Sequence, residues 1–167
     1  PKSMVFVLVG DLDNSQINKS VEKYFSGWKG GVDYATVEKA NQVTTGTTKI
    51  VEMEEKTSAT LHIAQTTGIK RTDKDYLALS MGNSIFGMGG FSARLMSIVR
   101  DDEGLTYGIY SVLGDDTFTD GQFYISGTFS PDLLAKGYNS TMREFKRWVK
   151  DGVTVEELSA AKTRAIG

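Results

Sequence analysis

An arginine and a tyrosine stand seven residues apart in this sequence, Arg100 and Tyr107, with DDEGLT between them. A guanidinium is charged at every physiological pH and presents its donors in a rigid fork, while a phenol adds one further O–H donor. A short turn that brings both to one point builds the geometry that stabilises an oxyanion or clamps a peptide carbonyl. The same pair also has a structural reading. Arg100 caps the C-terminal end of a helix, where the macrodipole favours a cation over the acids Asp101, Asp102 and Glu103, and Tyr107 packs in a strand. On physics alone the structural reading comes first, because most single arginines and tyrosines serve the fold.

Other chemistries have weaker support. His62 is the only histidine and the chain has no cysteine. A catalytic zinc site needs two or three histidines with a carboxylate, so none is expected here. No GxSxG elbow accompanies His62, which reads as a partly exposed strand residue. The GMGG of 87–90 lacks both the Lys-Ser/Thr ending of a P-loop and the strand-first context of a dinucleotide fingerprint, so it reads as punctuation between helices. The acids of GDDTFTD, Asp115 and Asp116 among them, read as solvated loop charge.

The elements that must position Arg100 and Tyr107 follow from periodicity. Ser92 can cap a helix carrying Leu95, Met96 and Val99 that stops near 101–104, and TYGIYSVL with GQFYISGTF then reads as an antiparallel hairpin. Upstream, Met4–Val9 and KIVEMEE (49–55) read as strands, as does SATLHIAQT (58–66), with Leu61 and Ile63 on one face and His62 on the other. Asn14 or Ser15 can cap a helix with Ile17, Val21, Tyr24 and Phe25 on one side. Thr72 with Asp75 resembles a capping box that opens a helix striped by Leu77, Met81 and Ile85. Ser130-Pro131 opens a long helix with Leu134, Tyr138, Met142, Phe145 and Val149 in line, closed by Gly152. Thr154 with Glu157 starts a last one. The whole reads as α+β, an antiparallel sheet layered with helices. The stretch 26–48 has no sustained period and reads as a linker.

Composition narrows the classes. The 167 residues suit one domain with a sizeable core. A net charge of −2 gives no electrostatic case for nucleic acid, and no apolar run approaches a membrane span. The sequence opens directly in a strand pattern and stops inside a helix pattern, so a piece of a longer chain is expected.

The order of the motifs resembles the second-half region of M16 (pitrilysin-type, inverzincin) peptidases, the family of mitochondrial processing peptidase, the core proteins of the cytochrome bc1 complex and bacterial zinc proteases. MVFVLVGDLD with VEKYFSGW resembles the strand and helix that close one half of such proteins. DKDYLALSMGNSIFGMGGFSARLMSIVRDDEGLTYGIYS resembles their most recognisable downstream stretch, and VTVEELSAAKTRAIG their recurring helix. The resemblance implies the LuxS/MPP-like metallohydrolase fold. It also implies three parts: 1–28 as a strand–helix unit from the end of a preceding repeat, 29–48 as linker, and 49–167 as the C-terminal-type domain, truncated at its end. The strand of the first part is free to fill a vacant place in the sheet of the third. The family holds zinc on an HxxEH motif, which this sequence lacks, so the chain alone is expected to be inactive and to carry no cofactor. Arg100 and Tyr107 match the pair that the family sets opposite the metal, which implies substrate binding and stabilisation of the tetrahedral intermediate. The implied partners are a zinc-bearing M16 half or subunit and a peptide substrate. A catalytically inert structural or assembly domain of the core-protein type is the other reading. A periplasmic or exported location is expected, with a cytoplasmic one as the alternative.

Overall fold

The computed structural model of the chain describes residues 4–33, 45–114, 116–117 and 119–167. It divides into two compact units, 1–37 and 38–167. In the first, helix α1 spans Asn14–Phe25. Its cap is Asp13, one residue before the expected Asn14 and two before Ser15, and Asp13 Oδ1 accepts from the Ser15 backbone N–H at 2.8 Å. The Ser15 hydroxyl first, and this backbone bond second, lower the Asp13 pKa. Ile17, Val21 and Phe25 are half-buried one turn apart, and the Phe25 ring packs on Phe6 at 4.6 Å and Trp28 at 4.9 Å. The expected strand at Met4–Val9 does not form, and Val5, Val7 and Val9 are exposed. The β-branched run supplies strand propensity, but a strand also needs a ladder partner, and among the described residues none pairs with 4–9.

Among the described residues the sheet of the second unit has three strands, β1 (Ala59–Thr66), β2 (Thr106–Gly114) and β3 (Gln122–Phe129), in the order β1-β3-β2 and antiparallel throughout. The hairpin and the 58–66 strand therefore form as the alternation predicts. The strand expected at 49–55 does not: Ile50, Val51 and Met53 are exposed, and the chain turns at Glu54–Glu55, where Glu55 takes φ +61°.

One face of the sheet meets the helices and supplies the core. Ile109, Phe123, Ile125 and Phe129 pack there against Phe86, Leu95 and Val99 from the 84–102 region, with Leu134, Phe145 and Trp148 partly buried around them. The other face carries His62 beside the Tyr124 ring at 4.9 Å, with Tyr110 next to it. Thus the α+β, antiparallel architecture holds.

Helix α2 spans Tyr76–Asn83. The capping box expected from Thr72 and Asp75 is absent: Asp75 makes no side-chain cap bond, and Asp73 instead accepts from Lys70 N–H at 2.7 Å. Leu77 points outward while Asn83, Ile85 and Phe86 turn inward, because the helix passes into a π-helical segment, Ser84–Met88, that rotates the buried side. Gly87 lies so close to β2 that a Cβ would stand 2.3 Å from Ser111 Oγ. The glycine cluster acts as punctuation: Gly90 has φ +66° and opens a 3-10 turn through Ser92. Ser92 Oγ donates to Gly89 O at 3.1 Å, so it closes this turn instead of capping the next helix. Asp116 is also not solvated loop charge, being 3% exposed and paired with Arg71 at 3.1 Å. Asp115 lies outside the described residues.

Helix α3 spans Leu134–Asp151 and α4 Val155–Ile166. The buried side of α3 carries Gly137, Ser140, Thr141 and Glu144, whereas the expected stripe members Tyr138 and Val149 are exposed. The periodicity was set by hydrophobic residues, but the face that fits the core is the one with room for Phe129. Gly152 closes α3 at φ +74°, and the Thr154–Glu157 capping box of α4 forms with both bonds. Arg94 grips Glu157 through Nε at 2.9 Å and Nη2 at 2.6 Å, tying the start of the Arg100 helix to α4.

Candidate functional site

Arg100 lies on a second π-helical segment, Met96–Asp102. Its wide turns show in Glu103 N–H donating to Ile98 O and Leu105 N–H to Val99 O, both at 3.0 Å. Gly104 then takes φ +62° and delivers the chain into β2. Leu95 and Val99 hold this segment to the core, which leaves Arg100 at the rim, its side chain 30% exposed.

Tyr107 owes its position to a β-bulge. Thr106 pairs with Phe129 and Gly108 with Thr128, so Tyr107 is the extra residue without a register partner. A bulge re-aims a side chain at the cost of local ladder regularity. Here Thr106 Oγ1 repairs the ladder, accepting from Gly108 N–H at 3.1 Å and lying within bonding distance of Thr128 O. As a result Tyr107 is 89% exposed, far from the packed strand residue of the structural reading. Its hydroxyl has no hydrogen-bond partner among the described residues.

The two side chains meet. Arg100 Nε donates to Tyr107 O at 2.9 Å and Nη1 pairs with Asp101 Oδ1. The guanidinium carbon lies 5.8 Å from the Tyr107 ring centre and 5.1 Å from that of Phe91. Arg100 therefore does not cap its helix: its bonds go to the strand and to Asp101, while Nη2 has no partner among the described residues. Phe91 and Tyr107 flank a cation whose Nη2 donors are still to be satisfied.

The turn between them is anchored from α3. Arg143 Nη2 bonds Glu103 Oε1 at 2.5 Å and its Nε bonds the buried Glu144 at 2.8 Å. The Ser140 hydroxyl first, and the Arg143 guanidinium with it, lower the Glu103 pKa against the opposing effect of burial. Next to Tyr107 at the same end of the sheet, a solvent-open cavity of about 380 Å³ is lined by Leu105, Thr128, Ser130 and Leu133 among others, none of them a charged side chain. Sequence reasoning found Arg100, Tyr107 and their turn. It missed Phe91, whose only signal is its place after the glycine cluster, and Arg143, which lies 40 positions from Glu103 with nothing in the sequence to link them.

Zinc does not fit the described residues. Among the described residues no group of three or more His, Cys, Asp or Glu could hold a metal ion, and His62 stands alone on the outer sheet face against Tyr124. Among them, too, no helix is long and apolar enough to cross a membrane.

A family model described as "Peptidase M16 inactive domain" matches residues 1–165. The probable inactive metalloprotease YmfF of Bacillus subtilis (strain 168) is 31% identical over 101 residues, 60% of this chain and 23% of that protein. The uncharacterized zinc protease YmxG of the same organism is 28% identical over 169 residues, 100% of this chain and 39% of that protein. The crystal structure of a peptidase M16 inactive domain from Pseudomonas fluorescens superposes with a TM-score of 0.79 at 30% identity, covering 95% of this chain and 37% of that one. A protease from Helicobacter pylori shares the fold at a TM-score of 0.72 and 17% identity, over 94% of this chain and 38% of that one. The chain thus spans no more than about two fifths of the relatives it matches.

Proposed function

The chain belongs to the M16 peptidase family as its inactive domain, and from that premise we propose that Arg100 and Tyr107 bind the peptide substrate and stabilise the oxyanion that develops at the scissile carbonyl. In this reading the site is composite. The zinc and the metal-dependent step belong to a different M16 half or subunit, and this chain supplies two donors to it. One observation carries the reading: the bulge residue Tyr107 and the guanidinium of Arg100 stand together at the surface, each with a donor that has no acceptor among the described residues.

The chemistry of each group is distinct. The Tyr107 hydroxyl is a neutral donor whose bond strengthens as the carbonyl oxygen gains charge, so it acts on the transition state more than on the bound substrate. Arg100 is a permanent charge held by its bond to Tyr107 O, with Phe91 and Tyr107 as walls, so it needs little reorganisation to meet an anion. Its Nη2 orients the substrate carbonyl, while Nε and Nη1 are already spent on Tyr107 O and Asp101.

The inert structural reading assigns the Arg100–Tyr107 O bond to the fold alone. Kinetics of the full-length protein with the zinc-bearing half present separate the two. Tyr107→Phe should lower kcat by about 10- to 1,000-fold with a modest change in KM, the usual range for one oxyanion donor. It should leave folding intact, since an exposed phenol contributes no core packing. Wild-type kcat in Tyr107→Phe and in Arg100→Ala would end the proposal and leave the structural role.

A further inference from the structure

By position, Glu103 is the natural ion-pair partner of Arg100. The helical segment closes with the Glu103 N–H donating to both Ile98 O and Arg100 O, and a turn closed from i+3 back to i brings those two side chains onto one line. A basic residue with an acid three positions on is an ordinary helix-surface pair. The structure does not make it. Asp101 takes Nη1 of Arg100 and Tyr107 O takes Nε, while the Glu103 carboxylate goes to Arg143 Nη2 on α3 at 2.5 Å, 40 positions along the chain.

What draws Glu103 to that side is itself held from below. Arg143 is half exposed and has a long side chain that would otherwise sample many rotamers. Its Nε is fixed by Glu144 Oε1 at 2.8 Å, and its Nη2 lies 3.1 Å from Ser140 Oγ as well as on Glu103. Glu144 is fully buried, and its second oxygen is taken by Arg147 Nη1 at 3.1 Å. A buried ion pair adds little to stability once desolvation is counted, and Leu134, Phe145 and Trp148 already seat α3 on the core. What Glu144 supplies is a direction for Arg143.

We infer that Arg143, oriented by the buried Glu144, is a positioning residue that holds Glu103 away from Arg100 and so keeps Arg100 Nη2 available to an acceptor. Released from Arg143, the Glu103 carboxylate would turn to the guanidinium three residues back and take Nη2, the nitrogen without a partner among the described residues. Asp101 and Glu103 together would then outweigh the cation, and a developing oxyanion would meet a carboxylate in place of a donor. The inference rests on the role proposed for Arg100 and goes beyond it: Arg143 touches no reacting atom, and acts by occupying an acid that would otherwise silence Arg100.

The experiment reads Arg100 directly. Phenylglyoxal condenses with guanidinium groups whose terminal nitrogens are free, and peptide mapping by mass spectrometry gives its rate at Arg100 in the full-length protein without any substrate. The same variants are assayed for kcat with the zinc-bearing half present. Arg143→Met keeps the apolar stem and removes the clamp, so it should slow modification of Arg100 and lower kcat, each by about two- to fivefold, the strength of a partly exposed ion pair. Adding Glu103→Ala should return both to wild-type values. A merely structural tie predicts no such rescue, because the double variant has lost that tie as well. Should Arg143→Met fold poorly because Glu144 is left with Arg147 alone, Arg143→Met/Glu144→Gln, with and without Glu103→Ala, carries the same comparison. Unchanged modification of Arg100 in the folded variant, or a double variant as slow as Arg143→Met, overturns the inference. Modification that is slowed and rescued while kcat stays at the wild-type value supports the clamp and counts against the oxyanion role alone, so the two readings fail separately.

Discussion

Gly137→Ala should destabilise the protein although alanine is the better helix former, and the size of the effect follows from the packing of one ring. Gly137 lies inside α3, where replacing glycine by alanine gains about 1 kcal/mol of helix propensity. A Cβ there would stand 2.2, 2.4 and 2.9 Å from three atoms of the Phe129 ring, so the ring must move by more than an ångström to reach ordinary contact. It has nowhere to go. Phe129 is 2% exposed and packed within the core cluster, so its ring cannot shift that far without displacing its neighbours. Overpacking of this kind costs about 1 to 3 kcal/mol, and a clash this deep belongs at the upper end. The net loss is about 2 kcal/mol, a fall in Tm of roughly 4 to 8 °C for a chain of this size. Thermal and urea unfolding measure it, and a double-mutant cycle with Phe129→Leu locates its cause. Leucine lacks the outer ring atoms, so in that background Gly137→Ala should be neutral or stabilising, a coupling of about 2 to 3 kcal/mol. A higher Tm for Gly137→Ala in the wild-type background, or the same shift in both backgrounds, refutes the packing argument. The outcome matters to the site because Phe129 pairs with Thr106, the residue that sets the bulge carrying Tyr107.

Other predictions follow from the same contacts. Arg94→Lys keeps the charge but cannot make the two-pronged grip on Glu157, so it should cost about 1 to 2 kcal/mol by urea unfolding, and a loss no larger than a few tenths would show the grip to be ornamental. Glu103 and Glu157 both titrate below the ordinary glutamate value of 4.5, Glu157 because its bonds to Arg94 and Thr154 N–H outweigh a burial that pulls the other way. Folded values below unfolded ones mean that their stabilisation is present above pH 4.5 and drains as pH falls through the folded values. The stability gap between wild type and the Glu103→Gln/Glu157→Gln variant should therefore shrink below pH 4.5, and a gap constant with pH contradicts this. Gly87→Ala should lower Tm more than Gly137→Ala does, because the obstacle at 87 includes the Ser111 backbone nitrogen at 2.6 Å, which cannot rotate away as a ring can.

What was legible in the sequence was what local chemistry decides. The hairpin, β1 and the Thr154–Glu157 capping box follow from alternation and from side chains that bond their own backbone, so they form as read. The strands at 4–9 and 49–55 fail because a strand is a relation between two segments, and apolar alternation names only one of them. The α3 stripe holds in part, with Leu134 and Phe145 packed on the core, and departs at Tyr138 and Val149 for a different reason. The helix meets Phe129 where it has least bulk, so Gly137 and Thr141 turn inward while Tyr138 stays out, a choice made by the partner surface. At the site, the residue pair and its spacing were legible. The Arg143 anchor was not, since tertiary ion pairs leave no trace in spacing.

The departures from regular structure around the pair bear on why it is there. A helix ended by a simple glycine cap and a strand without a bulge would join 99 to 109 as well, and would bury or pair the residues now at 100 and 107. Instead the helix widens into π turns before Arg100 and the strand gains an extra residue at Tyr107, two insertions that each give up backbone regularity. Both act in the same sense, bringing a charged and a phenolic donor out to one spot. Their cost is offset close by: Thr106 Oγ1 takes the Gly108 N–H, Arg100 Nε takes Tyr107 O, and Arg143 ties Glu103 to α3. An arrangement that spends three side chains on holding an exposed tyrosine in place is one the packing of the core does not require, since Leu95, Val99 and Ile109 already secure both elements. On the reading proposed above, the demand comes from an acceptor outside the molecule, met by the Tyr107 hydroxyl and Arg100 Nη2.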